Sequence, residues 1–333
     1  MRVDTALDDA LAMLASPDTG ERRTAWFAVA DSCNGAADDH RSRIWNLVQP
    51  FASAERSTEV GLSLVHALQM IQLPEAASTV MAWVDSPVPE IREEVTQALC
   101  ATAIDPPEAS TVEVLLALSR DRDDDVRDWA TFALGSQLSV DSETIRDALA
   151  ERLSDPYFDC MHEGLVGLAR LRDGRALEPT RSALEGETVH KLAVESAVHL
   201  GDPLLLPALL ELRSWWDLDS DLLDRAIERC DPEWCRERAE LCAELTGAIM
   251  RQASLVTPRL VGLEVVFGRD WYDGDDEVTV THKHRPGGTA ACEYSLPALL
   301  RRAGGSLERA ATFVLGDLTG ERSDPHRPDQ LAG

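Results

Sequence analysis

The fold is decided by the stretch from residue 120 to residue 173, which reads RDRDDDVRDWATFALGSQLSVDSETIRDALAERLSDPYFDCMHEGLVGLARLRD. Segments with helical spacing alternate with turns, and the apolar residues return in register. Val126, Ala130, Ala133 and Leu134 lie at i, i+4, i+7 and i+8, which is the spacing of one helix face. The stretch therefore predicts consecutive amphipathic helices joined by short turns.

The same apolar face recurs before and after this stretch at a spacing of 35 residues. The matching sets are Ile91, Val95, Ala98 and Leu99 on one side and Met161, Leu165, Leu168 and Ala169 on the other. A fixed period of this length is typical of a solenoid, in which each helix pair packs only against its neighbours. Looser copies extend the pattern from about residue 4 to Asp231, so the sequence predicts seven helix pairs.

Two features of the units resemble HEAT repeats. Asp-Val-Arg at 125–127 and Glu-Ile-Arg at 90–92 begin second helices, and small and apolar residues follow, as in ATFALG and GLVGLARLRD. The shorter units have a proline early in the first helix, as in residues 175–184, and they resemble the HEAT-like variant found in phycobilin lyase subunits. The resemblance implies a mainly α fold, an α-α superhelical solenoid whose second helices line the concave face.

The resemblance also implies a structural ladder between neighbouring units. In HEAT proteins an aspartate in the turn and an arginine early in the second helix form this ladder. Arg92 and Arg127 match the arginine, and the candidates for the aspartate are Asp85, Asp123 and Asp155. The fifth unit has Met-His in place of Val-Arg, so we expect the ladder to be interrupted there.

Beyond Asp231 the period changes, which predicts a second kind of structure. Residues 232–252 continue as one helix, with Asp231 as the N-cap and Pro232 at the first helical position. Alternating apolar residues at 261–267 and 278–280 then predict a hairpin. We expect a solenoid over residues 1–231, a helix with a small α+β capping module over 232–320, and a disordered tail over 321–333.

The charge balance restricts the class of partner. The chain has 59 acidic against 32 basic residues, a net charge of -27, and the acids are spread along its length. A field of this sign repels the phosphates of nucleic acids and attracts a basic protein. We therefore expect no nucleic-acid partner, although the acidity is also explained by solubility or by adaptation to salt.

The seven cysteines form an odd set with no CxxC pair. Together with the absence of a signal-peptide pattern at the start of the sequence, this usage favours a reducing cytoplasm. No run of about 18 apolar residues is present, so we expect no membrane span. No glycine-rich phosphate loop follows a predicted strand, and we expect no cofactor.

His282 and His284 are weak candidates for metal ligands. They lie two apart on a predicted strand and therefore project to the same face. A zinc site needs three or four ligands, and the spacing specifies two, so surface histidines are the simpler interpretation. The acidic loop at 268–277 lacks the register of a calcium-binding loop, and we interpret it as a solvated turn.

The sequence predicts a protein-interaction scaffold or adaptor whose acidic solenoid surface binds a basic protein. Glu94, Asp128 and Glu163 are the expected contacts on the second helices. Trp215 and Trp216 cannot both point inward, because adjacent helical residues are about 100 degrees apart, so one is a candidate anchor for a partner. Two alternatives stay open: an accessory lyase or modifying-enzyme subunit of HEAT-like type, and an immunity or inhibitor protein for a basic toxin.

Overall fold

The structure is a computed structural model in which the described residues are 5–104, 106–256, 261–269, 276–284 and 288–319. The chain divides into two compact units, unit 1 over residues 1–223 and unit 2 over residues 224–333. Unit 1 is helical throughout its described secondary structure, whereas unit 2 combines helices with a sheet.

Unit 1 is a stack of helix pairs. The pairs are α1 (Thr5–Leu14) with α2 (Thr19–Cys33), α3 (Asp38–Ala54) with α4 (Thr58–Ile71), α5 (Ala77–Met81) with α6 (Pro89–Thr102), α7 (Ala109–Leu118) with α8 (Asp124–Phe132), α9 (Glu143–Arg152) with α10 (Phe158–Arg170), and α11 (Leu177–Leu184) with α12 (Lys191–Leu200). A π-helical turn, Ala133–Gln137, continues α8. Helix α13 (Leu206–Leu212) follows, and α14 (Ser220–Cys230) crosses from unit 1 into unit 2.

The second helices of the pairs form the continuous core of unit 1. Each packs against the second helix of the next pair, from α2 through α12. Val126, Ala130 and Leu134 are all buried, as are the residues 35 positions before them. The helical solenoid predicted from the repeated apolar face is confirmed, since that face is what the stacked helices bury.

Small residues set the distance between consecutive second helices. A Cβ atom added to Gly135 would lie 2.8 Å from the Cα atom of Gly167, and the reverse contact is equally close. These two glycines allow the backbones of the π-helical turn and α10 to touch, and no larger side chain fits without a shift. The seam between the fourth and fifth repeats is therefore closed by backbone contact.

Arginines near the start of second helices bind acids in the turn of the following repeat. Arg92 of α6 makes a two-point ion pair with Asp121, at 2.6 and 2.8 Å, and Arg127 of α8 makes the same pair with Asp155, at 2.9 and 3.0 Å. Each arginine also donates to a backbone carbonyl in the turn before its own helix, that of Ser86 or of Asp121. One guanidinium therefore joins two successive turns.

Two of the three predicted ladder aspartates do not take this position, which corrects the prediction. Asp123 instead caps α8, its Oδ1 accepting from the backbone N–H of Val126 at 3.4 Å. Asp85 is exposed and forms no ion pair among the described contacts. The position that would supply its arginine, 31 residues before Arg92, is Gly61, which packs against the Trp83 ring.

The fifth repeat replaces the ion pair with a contact between two imidazoles. His162 of α10 occupies the position that Arg127 has in α8, and its ring lies 4.6 Å from that of His190, which precedes α12. Burial lowers the pKa of His162, while its hydrogen bond to the carbonyl of Phe158 acts in the opposite direction. At the ladder position the contact between these repeats is therefore made by two imidazole rings, while ion pairs of Arg146 with Asp173 and of Arg175 with Asp147 join the same repeats elsewhere.

Unit 2 has a long helix, a three-stranded antiparallel sheet and two short helices. They are α15 (Pro232–Val256), β1 (Val261–Arg269), β2 (Asp276–His284), β3 (Gly288–Ser295), α16 (Leu296–Arg302) and α17 (Leu307–Thr319). The sheet order is β1-β2-β3, and Val280 lies opposite Val265 on one side and Cys292 on the other. Asp231 Oδ1 accepts from the Glu233 N–H at the start of α15.

One face of this sheet forms a core with the helices of unit 2. Val278 and Val280 are fully buried and belong to a cluster with Ile249 of α15, Leu299 of α16 and Val314 of α17. The predicted small α+β module at the C-terminal end is confirmed. The predicted tail at 321–333 lies outside the described residues, as do residues 270–275 of the predicted acidic loop.

Candidate partner-binding face

One position recurs on the solvent side of five consecutive second helices. It is occupied by Phe27 in α2, Leu62 in α4, Glu93 in α6, Asp128 in α8 and Glu163 in α10, at spacings of 35, 31, 35 and 35 residues. We call this set the row. Phe27 and Leu62 are exposed, and the three acids are half-buried, so the row changes from apolar to acidic along the stack.

Burial and neighbouring carboxylates raise the pKa of each of the three acids of the row. Burial, and then the carboxylates of Asp159 and neighbouring acids, raise the pKa of Asp128 to about 6. Burial and the nearby Asp128 raise the pKa of Glu163 to about 8, although Arg170 acts in the opposite direction. The pKa of Glu93 is also raised, first by burial and then by Asp125. The row therefore holds dehydrated carboxylates whose charge would be stabilised by an added cation.

The predicted contacts are less exposed than the sequence suggested. Glu94, Asp128 and Glu163 are all half-buried. Glu94 is already engaged, since its Oε1 lies 2.8 Å from Nδ1 of His66 on the preceding second helix. Asp128 Oδ1 is buried and has no hydrogen-bond partner among the described residues.

The row ends at a lysine. The next equivalent position, 28 residues after Glu163, is Lys191 at the start of α12, and its Nζ lies 2.9 Å from Asp219 Oδ2. Because Lys191 is a cation and is already paired with Asp219, the series of acidic row positions ends at Glu163. The acidic part of the row therefore spans three repeats, from Glu93 to Glu163.

A groove lies beside the row, between the second helices of the second, third and fourth repeats. Its volume is about 280 Å³, and its lining includes Gln69, Gln97, Cys100, Trp129 and Phe132. The last two rings meet edge to face, with centroids 5.7 Å apart. A side-chain amide hydrogen bond of 3.3 Å, donated by Gln69 to Gln97, crosses between helices. The groove thus combines aromatic faces with amide groups.

The two adjacent tryptophans have separate roles. Trp216 is buried, and its ring N–H donates to the backbone carbonyl of Val189 at 2.9 Å, which makes it a core residue and corrects its prediction as a partner contact. Trp215 is 49% exposed. The expectation that both could not point inward is met, and Trp215 stays a candidate contact.

The histidine pair of β2 does not gain further ligands in the described structure. The His282 side chain is buried on the inner face of the sheet, opposite Ala290 in the register. His284 ends the strand opposite Gly288, and its side chain is outside the described set. Among the described side chains, no group of three His, Cys, Asp or Glu residues is placed to hold a metal ion.

Sequence reasoning missed Glu93 and the groove residues Gln97, Trp129 and Phe132 as parts of one face. The signal for Glu93 was present, because a shift of 35 residues leads from it to Asp128 and then to Glu163. The groove had no such signal, since its residues occupy different positions of the repeat. Their proximity depends on how adjacent helices cross.

The helix pairs, the repeated buried face and the arginine ladder define the class of HEAT-like helical repeat proteins, and the chain is a HEAT-like repeat protein by fold. Over 120 residues it is 33% identical to Protein YibA of Escherichia coli strain K12, a match that covers 36% of this chain and 42% of YibA. The aligned part of the chain therefore spans less than half the length of this curated relative. No protein-family model matches the chain.

One solved structure shows a similar fold, and a second is more distantly similar. The X-ray structure of YibA from Escherichia coli matches with a TM-score of 0.57 at 22% identity and covers 69% of this chain and 82% of that one. An archaeal HEAT-like repeats protein from Thermococcus onnurineus NA1 matches with a TM-score of 0.37 at 18% identity, over 68% of this chain and 89% of that one. None of the helices in the described part of the chain is long and apolar enough to cross a membrane.

Proposed function

We propose that the protein is an interaction scaffold that binds a basic segment of another protein on the face formed by its second helices. The observation that carries this proposal is the acidic part of the row. Glu93, Asp128 and Glu163 stand on consecutive helices, with the pKa of each raised by burial and by neighbouring acids. Lys or Arg side chains bound there would relieve this repulsion. A cytoplasmic location, favoured by the seven free cysteines, is part of the proposal.

The geometry of the repeat limits the form of the partner. Packed helices lie about 8–10 Å apart, so three row positions span about 20 Å. A segment in the polyproline II conformation has three residues per turn and a rise of about 3.1 Å per residue, so its side chains at every third position share one face, about 9 Å apart, and would meet successive row positions. We therefore infer an extended segment with a basic residue at every third position.

The proposal is tested with a synthetic peptide that repeats Lys-Ala-Ala, measured by calorimetry. We expect the triple variant Glu93→Gln, Asp128→Asn and Glu163→Gln to weaken binding by about tenfold or more, since each half-buried pair contributes on the order of 0.5–1 kcal/mol. The matched control removes three exposed acids that lie off the row: Glu75→Gln, Glu143→Gln and Glu187→Gln. If both triple variants weaken binding equally, net charge rather than the row is responsible and the proposal fails.

Proton release gives an independent readout. Glu163, whose pKa is about 8, is mostly protonated at pH 7 and must lose its proton to pair with a cation. Binding at pH 7 should therefore release protons, which calorimetry detects as a dependence of the heat on the buffer. The Glu163→Gln variant should release fewer protons. Uptake of protons, or no buffer dependence, would contradict binding at the row.

A basic toxin is one partner with this chemistry, and the inhibitor hypothesis stays a prediction within the same proposal.

A further inference from the structure

The groove beside the row has a composition that distinguishes between the two basic side chains. It is lined by two aromatic rings and several amides, and neither Lys nor Arg is among its lining residues. Its volume of about 280 Å³ is at the lower limit of small-molecule pockets, which begin at about 300 Å³. The groove is therefore suited to one or two side chains of a partner rather than to a cofactor.

The groove and the acidic row are one helical turn apart on the same two helices. On α6, Gln97 follows Glu93 by four residues, and on α8, Phe132 follows Asp128 by four. Residues at i and i+4 are neighbours on a helix surface. A cation in the groove would consequently lie within the field of these half-buried carboxylates, which gives the groove a charge preference that its own lining lacks.

Resting on the proposed function, we infer that the groove is a subsite for an arginine side chain of the basic segment. A guanidinium is planar and weakly hydrated, and it stacks on aromatic faces such as that of Trp129. Its five N–H donors require acceptors, and the amide side chains of Gln69 and Gln97 belong to the groove lining, the Gln97 oxygen accepting from Gln69 with one of its two lone pairs. A lysine ammonium is compact and strongly hydrated, and it gains less from rings and amides. The subsite therefore selects arginine over lysine.

The experiment compares two peptides of equal length and charge, one that repeats Arg-Ala-Ala and one that repeats Lys-Ala-Ala, by calorimetry with the full chain. We expect the wild-type protein to bind the arginine peptide about three- to tenfold more tightly, which is the range of one partly desolvated cation–π contact. The Trp129→Leu variant should bind both peptides with the affinity that the wild-type protein has for the lysine peptide. The matched control is Trp234→Leu in α15, a half-buried tryptophan that does not line the groove, which should leave the preference for arginine unchanged.

A second variant fills the groove without removing a ring. Ala101 lines the groove at a half-buried position, and Ala101→Phe should abolish the arginine preference while the affinity for the lysine peptide stays within about twofold. Circular dichroism confirms that each variant is folded. Equal binding of the two peptides by the wild-type protein, or an equal loss of both in Trp129→Leu and Ala101→Phe, would overturn the subsite and leave the row intact. Failure of both peptides to bind the wild-type protein would overturn the row as well.

Discussion

Removing the guanidinium of Arg127 should destabilise the protein far more than removing that of Arg120. Both arginines pair with an acid of the next repeat. In the pair of Arg127 with Asp155 the side chains are 10% and 4% exposed, whereas in the pair of Arg120 with Glu151 they are 46% and 49% exposed. Methionine is the suitable replacement because it keeps the apolar stem and removes the charge. The two variants therefore compare a buried and an exposed cross-repeat pair.

The size of the stability loss in Arg127→Met depends on which contacts Asp155 keeps. Breaking a buried ion pair by removing one member costs about 3–5 kcal/mol, because the other charge stays buried. In Arg127→Met, Asp155 keeps the backbone N–H of Tyr157 at 3.0 Å and the guanidinium of Arg152 at 3.3 Å. We therefore expect a loss near the lower limit, about 3 kcal/mol. Arg120→Met should cost at most about 1 kcal/mol, as exposed pairs do.

Acidification supplies a second test of the same pair. The Arg127 guanidinium holds the pKa of Asp155 below its usual range. Asp155 therefore stabilises the fold above the pKa of about 3.9 that the unfolded chain has, and this contribution is lost as the pH falls through the lower pKa of the folded state. The stability difference between the wild-type protein and Arg127→Met should be complete at pH 7 and should shrink below about pH 4.

The assay is urea unfolding followed by circular dichroism, with the slope of the transition compared among variants, because a solenoid can unfold in parts. The double variant Arg127→Met with Asp155→Leu removes both charges and should recover a large part of the loss. Two outcomes would refute the reasoning: equal losses for Arg127→Met and Arg120→Met, or a loss in Arg127→Met that does not change on acidification.

Three further predictions concern packing and charge. Gly135→Ala should lower the free energy of unfolding by about 1–3 kcal/mol, because its Cβ would lie 2.8 Å from the backbone of the next repeat. Gly174→Ala, whose Cβ would have no atom within 4 Å, should change it by no more than about 0.5 kcal/mol. Equal shifts of the two variants in thermal unfolding would contradict this prediction. Trp216→Phe removes a buried hydrogen bond and should cost about 1–2 kcal/mol, while the exposed Trp215→Phe should be nearly neutral by the same measurement. The pKa of Glu163, about 8, exceeds its value in the unfolded chain, so the folded state binds an extra proton, and the free energy of unfolding should fall by up to about 1.4 kcal/mol per pH unit between pH 5 and 8. Glu163→Gln should flatten this slope in urea unfolding, and an unchanged slope would contradict the prediction.

The repeat was readable from the sequence because it depends on residue classes at a fixed spacing. The positions that the 35-residue period selects are buried in α6, α8 and α10 except at Met161, which is half-buried, and the alternation at 261–267 is likewise sufficient to predict β1. These features belong to single helices or strands, where the period of the backbone decides which residues meet the core.

Features that depend on two elements were less predictable. Asp121 and Asp123 both stand in the turn before α8, and the sequence alone does not decide which of them reaches Arg92. The partner of Arg127 was included among the candidates because one aspartate, Asp155, precedes α10 in the corresponding turn. Half-burial of Glu163 depends on the approach of neighbouring helices, which the glycines permit but do not specify.

The ladder and the row occupy adjacent positions of each repeat, and this adjacency explains where the uncompensated charge lies. Arg92 precedes Glu93, and Arg127 precedes Asp128, yet each arginine is directed into the seam and bound by an acid of the following turn. The arginines of the ladder are thus paired with acids of the turns, and the neighbouring carboxylates of Glu93 and Asp128 are available to pair with a cation of a partner.

In the fifth repeat the ladder cation itself is absent. His162 stands before Glu163, burial lowers its pKa, and its ring contacts a second imidazole instead of pairing with an acid. Burial is the largest cause that raises the pKa of Glu163 to about 8 and that of Asp128 to about 6. Because Glu163 must release a proton before it pairs with a cation, whereas Asp128 is already largely ionised at pH 7, the basic residue that contacts the fifth repeat should contribute less to affinity at pH 7 than the one that contacts the fourth, and calorimetry should show this difference shrinking above about pH 8.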